Sequence, residues 1–171
     1  MSITGSTVLD TEFGKFKANF HRLGTVELVS LVHGDVTAGI PFVRIQSACL
    51  FGQTMHSKLC DCRKQLDDAM LRVQAQGGVI VISPRGEGKG AGLETKVRAM
   101  ELERINGCKA DEAYIQLGYP SDDLREFTLE AQALIELGVT KRIKLLTDNE
   151  KKRAAVIAAG SDIVVTPHPN G

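Results

Sequence analysis

The sequence predicts a mixed α+β fold with a β-rich N-terminal half and alternating helices and strands in the C-terminal half. Two observations predict it. Between residues 15 and 50, apolar residues alternate with polar ones or form short β-branched runs, as is typical of strands. From Cys62 onward, segments with apolar residues at helical spacing alternate with short apolar runs. We expect residues 1–171 to form a single domain, because this length suffices for one core.

Three strands are predicted in the first part of the chain. KFKANFH (15–21) alternates, VELVSLVHG (26–34) is apolar and β-branched, and PFVRIQS (41–47) follows a Gly-Ile-Pro turn. The preceding stretch, MSITGSTVLDTEFG, has no basic segment followed by an apolar block, so we expect no signal peptide and a cytoplasmic location.

The C-terminal half is predicted to contain four helices and three strands. Gly77-Gly78 and Gly138 follow two of the helices, as is common at helix ends. VIVIS is wholly apolar, which indicates a strand buried on both faces. The predicted elements are helix 63–76, strand 79–83, helix 93–106, helix 128–138, strand 142–147, helix 149–160 and strand 162–166.

Composition excludes several function classes. The 21 basic and 21 acidic side chains cancel, so nothing indicates a general nucleic-acid or membrane surface. No apolar run approaches the roughly 18 residues that a membrane-spanning helix needs. We therefore expect no nucleic-acid or membrane partner.

The most informative stretch is SACLFGQTMHSKLCDC (47–62), which holds three of the chain's four cysteines. Cys49, Cys60 and Cys62 have the spacing Cys-x10-Cys-x-Cys. In a reducing compartment, clustered thiols indicate a metal or catalytic site before a disulfide. Three thiolates on Zn²⁺ leave a fourth tetrahedral position for water, which is typical of a catalytic site. A zinc-bound water ionises near neutral pH and becomes a nucleophile.

Spacing alone leaves other interpretations of the cysteines open. Cys is among the most buried residue types, so the three could be core residues. A structural metal site could be completed by His56 or Cys108. A redox pair is less favoured, because the motif is C-x-C rather than C-x-x-C.

A Gly-rich loop, PRGEGKGAG (84–92), lies between a predicted strand and a predicted helix. Backbone amides and a helix N-terminus at such a place can hold phosphate. The loop matches neither common phosphate-loop motif, and a plain flexible turn is the alternative. Arg85 and Lys89 favour an anion, whereas Glu87 between glycines indicates a ligand donor or a nearby cation.

Two further stretches carry charge near predicted helix starts. DDLREFT (122–128) places Asp123 two residues before Arg125, and the alternative is an ordinary helix start with a solvated arginine. NEKKR (149–153) puts basic residues in a first helical turn, which is unfavourable for the helix dipole and hints at a phosphate ligand.

Six stretches, in one order through nearly the whole chain, carry a family resemblance: TEFGKFKANF, ELVSLVHGDV, VRIQSACLFGQTMHSKLCDCRKQL, PRGEGKGAGLETKVRA, QLGYPSDDLREFTLEAQALIELGV and IKLLTDNEKKRAAVIAAG. They resemble the GTP cyclohydrolase II family of riboflavin biosynthesis. The resemblance implies that family's fold and its reaction, in which the imidazole ring of GTP opens and C8 leaves as formate, with release of pyrophosphate. It also implies a homodimer and Mg²⁺ on the polyphosphate, since Mg²⁺ prefers hard oxygen ligands.

The resemblance further implies roles for individual residues. Cys49, Cys60 and Cys62 would hold one Zn²⁺ per chain, whose water attacks C8. Arg125 matches the family's proposed nucleophile toward the α-phosphorus, and Asp123 matches its proposed proton acceptor. The positions expected to contact the nucleotide are Arg44, Gln65, Glu87, Lys89, Thr128, Thr147 and Lys152.

The chain departs from the family pattern at several polar positions. The metal ligands and the Asp-x-Arg pair remain, which suggests retained chemistry with altered substrate handling. The replacements are Gln46 for His, Ala48 for Glu, Gln53 for Asp, Arg63 for Gly, Lys89 for Arg, Ala110 for Thr and Tyr114 for Asn.

The most consequential departure is Met100, which stands where the family has a catalytic tyrosine. A tyrosine hydroxyl can donate or accept a proton at a hydrated intermediate, and a thioether cannot. Family members with Met here resemble enzymes that open the ring and keep the formyl group. Our hypothesis is that the reaction stops at the formamidopyrimidine nucleotide. The alternative is that Met100 is a core residue and another group does the tyrosine's work.

Other functions stay open from the sequence. The chain could release formate as the family does, or open the ring of another purine nucleotide. It could also be an inactive paralogue that binds a purine nucleotide, or a purely structural zinc module. The retained Asp123, Arg125 and Lys152 argue against the structural module.

Overall fold

The computed structural model of the chain describes residues 1–140 and 142–160. A six-stranded sheet runs through it in the order β1-β2-β3-β5-β4-β6. β1, β2, β3 and β5 pair antiparallel, whereas β4 pairs parallel with both β5 and β6. The strands are β1 (Ser2–Thr11), β2 (Gly14–Leu23), β3 (Val26–His33), β4 (Phe42–Ser47), β5 (Gly78–Ser83) and β6 (Lys144–Leu145).

Within residues 1–140 and 142–160, five α-helices accompany the sheet, and two shorter helical segments follow β4 and β5. The short segments are a π-helical turn over Leu50–Thr54 and a chain of 3-10 turns over Pro84–Gly90. None of the described helices is long and apolar enough to cross a membrane. The helices are α1 (Cys62–Gln76), α2 (Gly92–Asn106), α3 (Ala110–Gln116), α4 (Thr128–Glu136) and α5 (Glu150–Ala159).

Helices cover both faces of the sheet. Ala69, Met70 and Val73 recur at helical spacing in α1 and pack with Leu31 and Ile80 on one face. On the other face, α4 and α5 pack on a second apolar cluster. That cluster includes Leu28, Val43, Ile45, Val79, Val81, Ala131, Leu134 and Val156.

The predicted mixed α+β class is confirmed, and most predicted elements are present. The strand predicted over 142–147 is shorter, since only the stretch around Lys144–Leu145 pairs with β4. The helix predicted over 128–138 ends at Glu136. The strand predicted over 162–166 lies outside the described residues.

One strand and one α-helix were not predicted from the sequence. β1 exposes nearly all of its side chains and is held by its pairing with β2, so it carries no apolar alternation that marks a buried face. The seven-residue α3 is too short for a clear helical period, and its buried residues Ala113 and Tyr114 pack with Ala99 of α2.

The topology determines where a site can form. β4, β5 and β6 are parallel, so their carboxyl ends meet at one edge of the sheet. The segment after β4 carries Cys49, the segment after β5 is the Gly-rich loop, and the segment after β6 carries Thr147. These three segments surround the candidate site.

A buried polar network joins the antiparallel strands to α4. Nδ1 of His21 lies 3.0 Å from the Oε2 atom of Glu136, and Nε2 lies 2.8 Å from the Oγ atom of Ser30. The other Glu136 oxygen accepts a hydrogen bond from the Ile3 backbone N–H at 2.6 Å. His21 and Ser30 are fully buried, so no substrate reaches them, and the network is structural.

Glu136→Ala should therefore lower the free energy of unfolding by about 1–3 kcal/mol, because it leaves a buried histidine nitrogen without its partner. Urea denaturation measures the change. Glu27→Ala is the matched control, since its ion pair with Arg22 is half-exposed and should contribute less than about 1 kcal/mol. Equal losses in the two variants would contradict the assignment.

Candidate active site

The three clustered cysteines come together beyond the end of β4. Their sulfur atoms all lie within 4.8 Å of one another, and those of Cys49 and Cys60 are 3.7 Å apart. Sulfurs at about 2.3 Å from a tetrahedral Zn²⁺ are about 3.8 Å from each other, so the spacing fits one zinc ion. It is far longer than the roughly 2.05 Å of a disulfide bond.

The surroundings of the cysteines favour a site with three protein ligands. Within the described part of the chain, the group of potential metal ligands contains Cys49, Cys60 and Cys62 alone. His56 is exposed and contacts Arg63 instead. Cys108 packs beside the small cluster between α2 and α3. The three thiols also line a cavity, so a fourth ligand could reach the metal from that side.

Gly52 is the residue that lets the three sulfurs approach. A Cβ atom at this position would lie 2.6 Å from the Cys60 sulfur and 3.2 Å from the Cys49 sulfur. The Gly52 backbone N–H donates a hydrogen bond to the Cys49 sulfur at 3.3 Å. Any larger residue at position 52 would therefore fill the space that the sulfurs share.

The electrostatics of the thiols favour a bound cation. Burial and the neighbouring Cys49 thiolate raise the pKa of Cys62 to about 12. Burial also opposes ionisation of Cys49, but hydrogen bonds from Lys96 and Gly52 outweigh it and lower the pKa of that thiol. Three thiolates at this distance repel one another, and a bound metal would hold all of them deprotonated.

Two cavities adjoin the cysteines. The cysteine cavity has a volume of ≈ 970 Å³ and the Lys152 cavity ≈ 320 Å³, and Cys62 and Arg125 line both. Most predicted site residues lie here. The cysteine cavity is lined by Cys49, Cys60, Cys62, Glu87, Lys89, Met100 and Arg125, and the Lys152 cavity by Cys62, Arg125, Arg44, Gln65, Thr147 and Lys152.

Two predicted residues lie elsewhere. Asp123 lines neither cavity and instead pairs with Arg125. Thr128 is the exposed first residue of α4 and also lines neither cavity.

Asp123 and Arg125 form a bidentate ion pair. The Arg125 Nε and Nη2 atoms donate to the two Asp123 oxygens at 2.8 and 2.7 Å, and the Arg125 backbone N–H donates at 3.0 Å. These bonds overcome the burial that would raise the pKa of Asp123 and hold it at about 2. The remaining guanidinium nitrogen donates to Ser47 Oγ at 3.2 Å, so Arg125 is fixed between the two cavities.

Both carboxylate oxygens of Glu87 accept hydrogen bonds from other groups of the protein. Its Oε2 atom accepts from the Leu50 backbone N–H at 2.6 Å, and its Oε1 atom accepts from Gly88 N–H at 3.0 Å and from Lys96 Nζ at 2.8 Å. Burial opposes ionisation, but these donors lower the pKa of the carboxyl. This explains the acid in an otherwise anion-like loop, because it fastens the loop to the cysteine segment.

The Lys152 cavity has a buried, basic wall. Arg44 donates to Gln46 at 2.7 Å, to the Leu146 carbonyl at 2.9 Å and to Gln65 at 2.5 Å. Lys152 donates to the Ile45 carbonyl at 2.8 Å. Burial, together with the neighbouring arginines, lowers the pKa of Lys152 to about 7. An anion in this cavity would meet preformed donors.

Lys89, Met100 and Tyr114 also line the cysteine cavity. Lys89 has a left-handed backbone with φ +53, donates to Asp122 at 2.9 Å, and lies 5.6 Å from the centre of the Tyr114 ring. Burial raises the pKa of Tyr114, so its phenol stays protonated at neutral pH. Met100 is half-buried, lines the same cavity and belongs to neither apolar cluster of the sheet.

The sequence did not identify Gly52, Tyr114 or Lys96 as site residues. Lys96 is four residues before Met100, so it lies on the same face of α2 and could have been found from helical spacing. Tyr114 appeared only as a departure from the family pattern. The close approach at Gly52 brings together Cys49, three positions before it, and Cys60 and Cys62, eight and ten positions after it, so it depends on how the segment folds back on itself.

The fold and the site define a class, an α/β protein with a cluster of three thiols that could hold a metal ion at the carboxyl ends of parallel strands. The sequence model of the GTP cyclohydrolase II family matches residues 2–167. The chain belongs to this family, whose members are hydrolases, and the resemblance stated from its motifs is confirmed.

Known relatives agree with this assignment. The chain is 40% identical to a GTP cyclohydrolase-2 of Neisseria meningitidis, covering 96% of this chain and 83% of the relative. It is 40% identical to a GTP cyclohydrolase-2 of Archaeoglobus fulgidus, covering 93% of this chain but 42% of the relative. It is 38% identical to a riboflavin biosynthesis protein RibBA of Bacillus cereus, covering 91% of this chain and 39% of the relative.

A solved structure shows the same fold. The crystal structure of RibBX, a two-domain 3,4-dihydroxy-2-butanone 4-phosphate synthase from A. baumannii, superposes with a TM-score of 0.54 at 19% identity. The match covers 98% of this chain and 40% of that one. At this identity the likeness concerns the fold alone.

Gly52→Ala should weaken Zn²⁺ binding by on the order of 10–100-fold, because the added methyl group occupies the space between the sulfurs. Competition with a chelating dye measures the affinity. Gly5→Ala is the control, since a Cβ atom added there would meet nothing within 4 Å. Wild-type affinity in Gly52→Ala would rule out this role of the glycine.

Binding of inorganic triphosphate should weaken as the pH rises above about 7, the pKa of Lys152 in the free protein. A bound anion favours the charged ammonium, so binding takes up a proton above that pH and does not below it. Calorimetry in two buffers with different ionisation enthalpies measures the uptake. In Lys152→Met, the proton uptake that comes from the lysine should be lost, and only the proton exchange of the triphosphate itself should remain. The same proton uptake in both proteins would contradict the assignment.

Proposed function

We propose that the chain is a zinc enzyme that opens the imidazole ring of GTP at C8, releases pyrophosphate, and stops at the formamidopyrimidine nucleotide. The observation that carries the proposal is the junction of the two cavities. The three-thiol centre and Met100 line one cavity, the buried basic side chains line the other, and Arg125 lines both. A purine beside the metal and a polyphosphate beside Lys152 would be joined at Arg125.

The chain's own residues divide the work between these cavities. Cys49, Cys60 and Cys62 would hold zinc, which when bound supplies an activated water and polarises the ring it adjoins. Arg44 and Lys152 would bind phosphate oxygens through donors that are already in place.

Arg125 would contact the α-phosphate. Asp123 holds its guanidinium through two hydrogen bonds and is ionised at neutral pH. The two hydrogen bonds fix the approach of the guanidinium toward the phosphorus, and Asp123 is the group that would accept a guanidinium proton in a nucleophilic role of Arg125.

Mg²⁺ would balance the charge of the polyphosphate. Asp61, Asp68 and Asp148 line the Lys152 cavity beside the basic residues. Carboxylate oxygens, with phosphate oxygens, are the hard ligands that Mg²⁺ prefers.

Loss of the family's tyrosine supports arrest at the ring-opened stage. Met100 lines the cysteine cavity and has no group that can transfer a proton. Hydrolysis of the formamide needs such a transfer at its hydrated intermediate. The opened nucleotide would then leave with its formyl group.

A second function, full release of formate, is favoured by Tyr114. This phenol lines the same cavity and is kept protonated by burial. It is on α3 rather than α2, so it approaches from another direction than a tyrosine at position 100 would. Opening of a different purine nucleotide is a third candidate, since Ala48 and Tyr114 alter the cavity wall.

Zinc-loaded protein incubated with GTP should form pyrophosphate and a formamidopyrimidine without formate. Mass spectrometry of the product and an enzymatic formate assay measure both. Met100→Tyr should gain formate release, and Met100→Leu is the control that keeps an apolar side chain. Stoichiometric formate from the wild type would contradict the arrest, and its loss in Tyr114→Phe would assign the step to Tyr114.

Parallel incubations with GDP, GMP and ATP distinguish the remaining candidates. If only a nucleotide other than GTP loses its purine absorbance, that nucleotide is the substrate and GTP is not. Binding without turnover of any of them would identify an inactive nucleotide-binding paralogue. We also propose that residues 1–171 form one domain of a cytoplasmic homodimer, and sedimentation analysis would test its oligomeric state.

A further inference from the structure

Lys96 connects the cysteine cluster to the Gly-rich loop. Its ammonium donates a hydrogen bond to the Cys49 sulfur at 3.0 Å and another to the Glu87 Oε1 atom at 2.8 Å. It also lies 5.2 Å from the centre of the Phe51 ring. Lys96 on α2 thus touches both the segment after β4 and the loop after β5.

The surroundings of Lys96 hold its ammonium in a defined place. Only 17% of its side chain and 15% of the Glu87 side chain are exposed, so the pair is largely removed from water. A lysine ammonium in such a place is unfavourable unless anions offset the loss of hydration. The Cys49 thiolate and the Glu87 carboxylate are the two anions that do so.

The contact of Lys96 with Cys49 would stabilise a metal bound by the three thiolates. Three thiolates on one Zn²⁺ leave a net charge of −1 in a partly buried site. An ammonium that donates to one of the sulfurs offsets this charge and fixes the direction of the ligand, as outer groups do at other metal sites.

The contact of Lys96 with Glu87 fastens the Gly-rich loop to the cysteine segment. Glu87 holds the Leu50 backbone N–H as well as Lys96, and Leu50 directly follows the ligand Cys49. The loop after β5 is thus joined to the metal segment through one carboxylate and one ammonium. A movement of the loop or of the cysteine segment would therefore change the contacts of Lys96 with both Cys49 and Glu87.

We propose that Lys96 is a positioning residue that couples metal binding to nucleotide binding. Metal on the thiolates orients Cys49 and Lys96, and Lys96 holds Glu87 and the loop in the conformation that receives the nucleotide. Because such coupling is reciprocal, nucleotide in the cavity should tighten metal binding by the same factor. The nucleotide half of the inference rests on the proposed function, and the metal half does not.

The test compares Lys96→Met, which has no charge, with Lys96→Arg, which keeps it. Arg98→Met is the matched control, because Arg98 is on the same helix with 65% of its side chain exposed. Zn²⁺ affinity is measured by chelator competition with and without GTP. The sulfur-to-metal charge-transfer band of the Co²⁺-loaded protein reports on the thiolates directly.

Lys96→Met should weaken Zn²⁺ binding by on the order of 10–100-fold, shift the Co²⁺ band and abolish the effect of GTP on metal affinity. Lys96→Arg should keep most of the Zn²⁺ affinity, of the Co²⁺ band position and of the GTP effect. Arg98→Met should change none of these three quantities. An unshifted band with unchanged Zn²⁺ affinity in Lys96→Met would overturn the role at the metal. A shifted band with the GTP effect retained would overturn the coupling.

Failure of the proposed function gives a different result. Wild-type protein that does not bind GTP by calorimetry would refute that function and the coupling together. The Co²⁺ band of Lys96→Met would still decide whether Lys96 positions a metal ligand. Circular dichroism of each variant separates these outcomes from a loss of folding.

Discussion

The packing of three thiols around one point is the constraint on which the rest of the site depends. Thiolates within 4.8 Å of one another repel, so a cation at their centre would stabilise the ionised form of all three. The fold meets this constraint with Gly52, which leaves the space free, and with α1, whose first residue is Cys62. The parallel strands β4 and β5 then bring the Gly-rich loop to the same edge of the sheet.

The structure divides the chain's departures from its family into two groups. Gln53 accepts the Cys49 backbone N–H at 3.0 Å, Gln46 accepts from Arg44 at 2.7 Å, and Arg63 contacts His56. These replacements contact other protein groups and line neither cavity. The others line the cysteine cavity, where they change what a substrate touches: Ala48, Lys89, Met100, Ala110 and Tyr114.

Much of the fold and the cluster of three cysteines could be predicted because their signals are local. The cysteine spacing, the apolar run of β5 and the periodic residues of α1 each lie within about 15 consecutive residues. β1 lacks such a signal, since its stability comes from pairing with β2 and both of its faces are exposed. The Lys96–Cys49 contact joins positions 47 residues apart, so only the folded chain brings it together.

A metal held by three sulfurs, with one position left for a lighter atom, is central to the proposed chemistry. X-ray absorption of the zinc-loaded protein tests this directly, because sulfur and oxygen shells differ in distance and scattering. We predict three sulfurs at about 2.3 Å and one oxygen or nitrogen at about 2.0 Å. Four sulfur ligands, or three sulfurs with no lighter neighbour, would contradict the prediction.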